Sequence, residues 1–299
     1  MWLIARLVLF IALGWFYVEG ATEHARTVNT SKARGDQSGY LWDAQRIHAN
    51  WQGATPQKLV GERMRMPLYP AYLALFYDRS LSDPEYFQVA IVWNIRLSLA
   101  LLAVFAVLVS FHLPPLVSTN LTLIVAFGYF VFKAGYSQPE LLFYFLFFVT
   151  FLACWHLMRR APSPANILLG VLAGALAGLA HLTKAMMPAF IGVFLAVYGG
   201  REVVYLLSAW RRGDVKRDAL VRAGWRAAAA GAMVACFFGV VFPYIANSKR
   251  VFGDYFFNHN TNYYIWYDDG GAARAEMLPL TDDEGRLSMP LASRPSLRK

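Results

Sequence analysis

Apolar residues run along this chain in stretches of the length a bilayer demands, about 17 to 25 residues each. They fall at residues 2–18, 86–111, 116–133, 141–158, 167–183, 188–207 and 227–245, and each is read as a membrane-spanning helix. Pro114 and Pro115 leave almost no loop between the second and third spans, and Pro162 with Pro164 separates the fourth from the fifth, as breakers between helices should. No small-residue cleavage site convincingly follows the first stretch, which is therefore read as an uncleaved anchor. The expected fold class is an all-α polytopic membrane protein of about seven transmembrane helices, with a long first outer loop.

That loop, residues 20–85, is too long for a plain connector and too rich in Trp, Tyr and Leu for disorder. It is expected to fold against the membrane surface as interfacial helices. Over residues 40–51, helical spacing puts Tyr40, Ile47 and Trp51 on one face. A second short helix is expected to begin at Pro70 and continue through Tyr77, since proline at the first helical position lacks only an N–H that has no partner there. Residues 1–247 thus form a membrane-embedded module. Residues 248–299 form an outer tail in which Gly270-Gly271 and the polar stretch to Lys299 suggest a loose segment with at most one short helix.

Composition agrees with that division. The 299 residues are 57% hydrophobic and only 16% charged, against roughly 25% charged in a soluble domain, so a soluble globular enzyme is disfavoured. The net charge of +9 raises nucleic acid as a partner only until the positions of the cations are noted. Arg159 and Arg160 follow the fourth span, and Arg201, Arg211, Arg212, Lys216, Arg217, Arg222 and Arg226 lie between the sixth and seventh. With seven spans these loops share a side, and retention of Lys and Arg in the cytoplasm puts the N-terminus inside and the tail outside. Cys154 and Cys236 each lie in an apolar run with no Cys or His at metal-ligand spacing, so neither a disulfide framework nor a zinc site is supported.

The isolated polar residues collect at the outer ends. Lys133 closes the third span, Glu140 opens the fourth, His181 and Lys184 close the fifth, and Asn247, Lys249 and Arg250 follow the seventh. Arg96 lies roughly halfway down the second span, where an unpaired cation would cost at least about 2.5–3.5 kcal/mol, so it is expected to face the bundle or a wet cavity. The first loop adds Asp36, Asp43, Glu62, Arg63 and Arg65. Plainer roles exist for each: Asp36 as an N-cap, Asp43 as a solvated position, the lysines as snorkelling span ends, Glu140 as a helix-dipole partner, His181 as a packing residue.

Gly35-Asp36-Gln37-Ser38-Gly39-Tyr40, then Ala44, then Arg65-Met66-Pro67-Leu68-Tyr69-Pro70, resembles the first-loop pattern of the C-type glycosyltransferases, the polytopic enzymes that include protein O-mannosyltransferases and aminoarabinose transferases. Residues 174–184, ending in Leu182-Thr183-Lys184, look like that family's small-residue helix with its Leu-Thr-Lys or Leu-Thr-Arg turn. Residues 242–247 followed by Phe252-Gly253 are similar to its Pro-Trp-x-x-Arg-Asn…Phe-Gly segment. The pieces cover about a third of the chain in the family's order. Ala246 departs from the pattern, standing where the family often has Arg, and the chain stops at Lys299 without the further spans or large extramembrane domain of many members, as a fragment or reduced member would.

The resemblance implies transfer of a sugar from a polyprenyl-phosphate donor to a lipid, glycan or protein acceptor at the outer face of a membrane, such as a bacterial inner membrane, with membrane lipids and no nucleic acid as partners. In that reaction Asp36 is the candidate base for the acceptor hydroxyl. Arg65, Lys184, Arg96 and Arg250 are candidate phosphate holders, and Tyr40, Asp43, Tyr69 and Glu140 complete the expected substrate-binding set. No cofactor is expected. The first loop has no Asp-x-Asp or Glu-x-Asp, so the metal-dependent variant is not indicated, although Asp36 with Glu140 could ligate an ion. Two readings from other classes stand beside this one: a transporter or flippase for a lipid-linked solute, which should show an internal repeat with broken helices, and a non-catalytic scaffold of the same fold.

Overall fold

The computed structural model describes residues 2–29, 32–52, 65–212, 217–253 and 255–257. The described residues are helical, with no strand among them. In chain order the helices are α1 (Trp2–Val28), α2 (Asp36–Trp51), α3 (Leu68–Ala74), α4 (Asp83–His112), α5 (Pro115–Val125), α6 (Val131–Ala134), α7 (Glu140–Arg159), α8 (Ala165–Thr183), α9 (Met187–Arg211) and α10 (Arg217–Phe252), with one wider π turn (Ala126–Phe130) joining α5 to α6.

Six of these stretches are long and apolar enough to cross a membrane: α4, the α5–α6 run, α7, α8, α9 and α10. The chain is an integral multi-pass membrane protein by that measure. The expected first span lies in α1, which is not among the six and runs on from Val18 to Val28. The helices outlast the apolar stretches because hydropathy reports hydrocarbon depth whereas Ala, Leu and Arg continue a helix beyond it. Hence α9 reaches Arg211 and α10 starts at Arg217, ten residues before the apolar stretch at 227.

The contacts divide the chain into two compact units, Met1–Trp51 with Pro67–Val149, and Gln52–Met66 with Thr150–Lys299. In the first, α1 lies along α4 and α6. Gly20 meets Val131, and a Cβ on Gly135 would press within 3.1 Å of the Ala25 backbone, so both glycines let helix and loop approach α1 closely. The Tyr17 hydroxyl, buried between helices, donates to Ser98 Oγ at 2.7 Å. The π turn shifts the register of its helix, so that Ala126, Phe130, Val131 and Ala134 are all buried despite uneven spacing.

Two features of the first loop differ from expectation. The buried face of α2 is Gln37, Leu41, Ala44 and Ile47, while Tyr40 is half-buried and Trp51 exposed. The periodicity runs through a small residue and an amide and leaves out the large aromatics. The short helix starts at Leu68, so Pro70 occupies its third position, still within the first turn where no N–H is needed. It ends at Ala74, and turn bonds from Phe76 and Tyr77 back to Leu73 and Ala74 carry the chain onward. The following helix, α4, opens at a capping box in which Glu85 accepts from the Ser82 backbone at 2.8 Å and from its hydroxyl at 2.6 Å.

In the second unit the closest pairing is α8 with α10. Gly170 faces Ala229, Gly174 faces Met233 and Cys236, and Gly178 faces Phe237 and Val240. Numbers rise together along both helices, so they run parallel. Cβ atoms on Gly170 and Gly174 would collide with the Ala229 and Met233 carbonyl oxygens, and one on Gly178 would come to 2.7 Å of Val240 Cβ. Spaced four apart, these glycines bring the two backbones together, the arrangement that favours helix association in lipid. At the other end of the seam Arg226 is buried, its Nη1 2.7 Å from Glu202 Oε1 of α9, and Arg201 Nη1 donates to the Met158 carbonyl at 2.8 Å. These two arginines, expected in a loop, lie within helices and bind protein groups.

Gly174→Leu should therefore break the seam and lower thermal stability in detergent by about 1–3 kcal/mol or more, the range for overpacking. Gly192→Leu on α9, where a Cβ meets nothing within 4 Å, should leave the melting temperature unchanged. Equal stability of the two variants would disprove the seam.

Candidate functional site

Gly35 adopts φ 57, a left-handed conformation that suits glycine, and turns the chain into α2 with Asp36 in the first turn. There the carboxylate complements the helix dipole, and the Asp36 side chain is exposed. One turn on, the Tyr40 ring stands edge-on to Tyr69 at 5.5 Å and 90°. Ala44, one turn further, is fully buried, which leaves no room for a larger side chain. Asp43 is half-buried on another side of the helix.

Tyr69 is the centre of the first unit's polar core. It is fully buried, and its hydroxyl donates to Asn94 Oδ1 at 2.8 Å and lies 3.3 Å from Ser137 Oγ. Asn94 in turn donates through Nδ2 to the carbonyls of Ala134 at 2.9 Å and Tyr136 at 2.7 Å. Gln37 accepts from the Ser137 N–H at 2.8 Å and donates to Asn29 Oδ1 at 3.1 Å, and Asn29 donates to the Gly135 carbonyl. Side chains from α2, α3, α4 and the end of α1 thus hold one short loop, residues 134–137. Glu140 opens α7 three residues later, close enough to Tyr69 for its charge to act on the phenol. Burial holds the Tyr69 pKa well above the ordinary tyrosine range; the Ser137 hydrogen bond opposes the rise and the charges of neighbouring Tyr72, Glu140 and Tyr40 add to it. Tyr69 is consequently a protonated donor at neutral pH.

Arg96 sits on the adjoining turn of α4. It is exposed, with its guanidinium 4.7 Å over the Trp93 ring, and Trp93 stacks on Phe76 at 3.8 Å. The Tyr72 hydroxyl donates to the Trp93 carbonyl at 2.8 Å; burial pushes its pKa up to about 12 against the lowering effect of Arg96. Arg96 was expected to face the bundle or a wet cavity, and its side chain is exposed on α4. Bonds from Tyr86 to Leu73, Tyr72 to Trp93 and Tyr69 to Asn94 lay α3 along the first turns of α4, as far as the residue two before Arg96.

In the second unit, Lys184 ends α8 with extended backbone, φ −153, its N–H bonded to the Ala180 carbonyl at 2.9 Å. Because α8 and α10 run parallel, Lys184 shares an end of this unit with Lys249 and Arg250. Lys249 donates to the Gly253 carbonyl at 2.7 Å and lies 5.5 Å from the Tyr255 ring; Arg250 donates to Asn247 Oδ1 at 2.7 Å. His181 is buried with its ring edge-on to Phe237 and Phe256. Arg65 is half-buried. Glu62, Arg63 and the tail from residue 258 lie outside the described residues.

Of the sequence-derived set, the first unit brings Tyr40, Tyr69 and Glu140 together, with Asp36 a turn before Tyr40 and Arg96 a turn beyond the clamp. Lys184 and Arg250 share one end of the second unit. The residues that sequence reasoning passed over are Asn29, Gln37, Asn94 and Ser137. The readable signal was Asn94, an amide inside the apolar run 91–95. Among the described residues no three His, Cys, Asp or Glu side chains gather in a way that could hold a metal ion. No family model, no curated protein and no solved structure matches this chain.

Tyr69→Phe leaves Asn94 Oδ1 without its donor and should cost about 1–3 kcal/mol of stability. Asn94→Ala removes the amide donor to the Ala134 carbonyl, one of two donors to the Tyr136 carbonyl and the acceptor of the Tyr69 hydroxyl, and should cost more. In a double-mutant cycle read by thermal unfolding, the pair should couple by about 0.5–3 kcal/mol, and strict additivity would refute the clamp.

Proposed function

We propose that the chain is a membrane glycosyltransferase that moves a sugar from a polyprenyl-phosphate donor to an acceptor hydroxyl on the outer face of the membrane. The observation that carries this reading is the meeting of Tyr40 with Tyr69. These residues belong to the two halves of the first-loop pattern, far apart in sequence, and they converge beside Glu140 with Asp36 one turn away.

In the proposed reaction the acceptor oxygen attacks the anomeric carbon, the bond from that carbon to the phosphate oxygen breaks, and polyprenyl phosphate leaves. The acceptor's proton passes to the Asp36 carboxylate. Arg96, exposed on α4, is free to meet a phosphate carried by a lipid, and guanidinium geometry matches phosphate oxygens in pairs. Asp43 stands with Tyr40, Tyr69 and Glu140 in the expected substrate-binding set. In this reading α1 is the seventh span, the N-terminus is cytoplasmic, and the ends bearing Glu140, Lys184 and Arg250 face outward.

Transfer of radiolabelled sugar from a panel of polyprenyl-phosphate sugars, by purified protein in liposomes, tests the reading. Asp36→Asn should abolish transfer while leaving insertion and melting temperature intact, and Asp43→Asn should reduce it more mildly. Full activity of Asp36→Asn would remove Asp36 from the mechanism. Absence of transfer from every donor would overturn the assignment.

A further inference from the structure

The basic end of the second unit has a geometry that a topology signal alone does not require. Along the α8–α10 seam Gly170 faces Ala229, so the start of α8 at Ala165 lies level with about Gly224 of α10. Residues 217–223 of α10 therefore continue past the N-terminal end of α8. The Arg222 guanidinium lies 5.7 Å from the Tyr205 ring, which sets the last turns of α9 beside them. A helical pair thus projects beyond α8, comprising the end of α9 and the beginning of α10.

Its surface has two characters. Val203, Val204, Leu207, Trp210, Leu220 and Val221 are exposed, Trp210 by 70%. Between them Arg211, Arg212, Arg217 and Arg222 are also exposed. The α9 carboxylate that would offset them, Glu202, is held by buried Arg226 at 2.7 Å and by Arg201 at 3.6 Å, leaving Asp218 as the acid on these turns. A projection bathed in water would leave its valines, leucines and tryptophan hydrated, and one buried in hydrocarbon would strand four guanidinium groups. The headgroup layer satisfies both, with aliphatic and indole groups at the acyl boundary and guanidinium groups among phosphates.

We infer that this projecting helical pair is a binding surface for anionic phospholipid headgroups, held in the interfacial layer by the apolar residues and selected for negative lipid by Arg211, Arg212, Arg217 and Arg222. The surface is separate from the proposed transfer site and acts whether or not that reaction occurs. The occupant is a lipid rather than a protein because four exposed guanidinium groups against one carboxylate, interleaved with exposed aliphatics, match a negatively charged bilayer face.

The test uses the full chain reconstituted in bilayers, with spin-labelled phosphatidylglycerol and phosphatidylcholine as probes. At low salt the association of the anionic probe should exceed that of the zwitterionic one by about fivefold or more, given what each basic side chain contributes near a charged surface. The preference should fall toward unity in about 0.5 M salt, through screening, and in the variant R211Q/R212Q/R217Q/R222Q. The salt titration on the unaltered chain stands even where the variant folds poorly. Equal association of both probes at low salt, or a preference unmoved by salt, would overturn the inference. So would a dimer that the fourfold substitution dissociates without any lipid preference, since the pair would then be a contact between copies.

Discussion

Asn94 stands in an apolar run of α4, and its amide must find partners in a region where water is scarce. An unmet amide there costs several kcal/mol, so the groups around it are under strong constraint. Its two donated bonds fix the carbonyls of Ala134 and Tyr136, and its oxygen receives the Tyr69 hydroxyl. One side chain thereby ties α3 and the loop before α7 to α4. Gln37 repeats the device from α2, using both ends of its amide, and Asn29 extends it from the end of α1. The positions of Tyr40 and Glu140 relative to Tyr69 follow from these amides. Helices in lipid associate without a hydrophobic driving force between them, which makes a satisfied polar cluster a natural source of unique geometry.

The second unit reaches the same end by the opposite means. Glycines remove side chains from the α8–α10 contact, and backbone approach replaces hydrogen bonding as the source of fit. Ionic groups appear only where the seam ends: Arg226 against Glu202 on one side, Lys184 and the Lys249–Arg250 pair on the other. The buried pair avoids an uncompensated charge, because each ion is within contact distance of its counter-ion.

The spans were legible because hydrocarbon thickness imposes a length on them whatever their neighbours. Their ends were not, since Arg217 through Arg226 propagate a helix as well as an apolar segment does. The face of α2 was misjudged through its aromatics: Gln37 and Ala44 face the core, and neither carries the bulk that marks a buried position. Nothing in the spacing of α4 tells that α3 lies along its first turns. The clamp itself joins residues about a hundred positions apart, such as Gln37 and Ser137, and a single sequence carries no record of such pairings. What could be read was local, a helical pattern following Asp36. What could not be read was the amide network.

The parallel pairing of α8 with α10 also dictates an order of events during synthesis. A helix cannot lie parallel to the next one when the chain must return across the membrane, so the glycine face of α8 is left open until α10 has been made. Gly170 and its partner Ala229 are roughly sixty residues apart, or some 3–12 s of translation. Over that interval the glycines of α8 lack the partner they meet in the folded unit. The helix that closes this seam is thus made after both α8 and α9, and its arrival covers the glycine face.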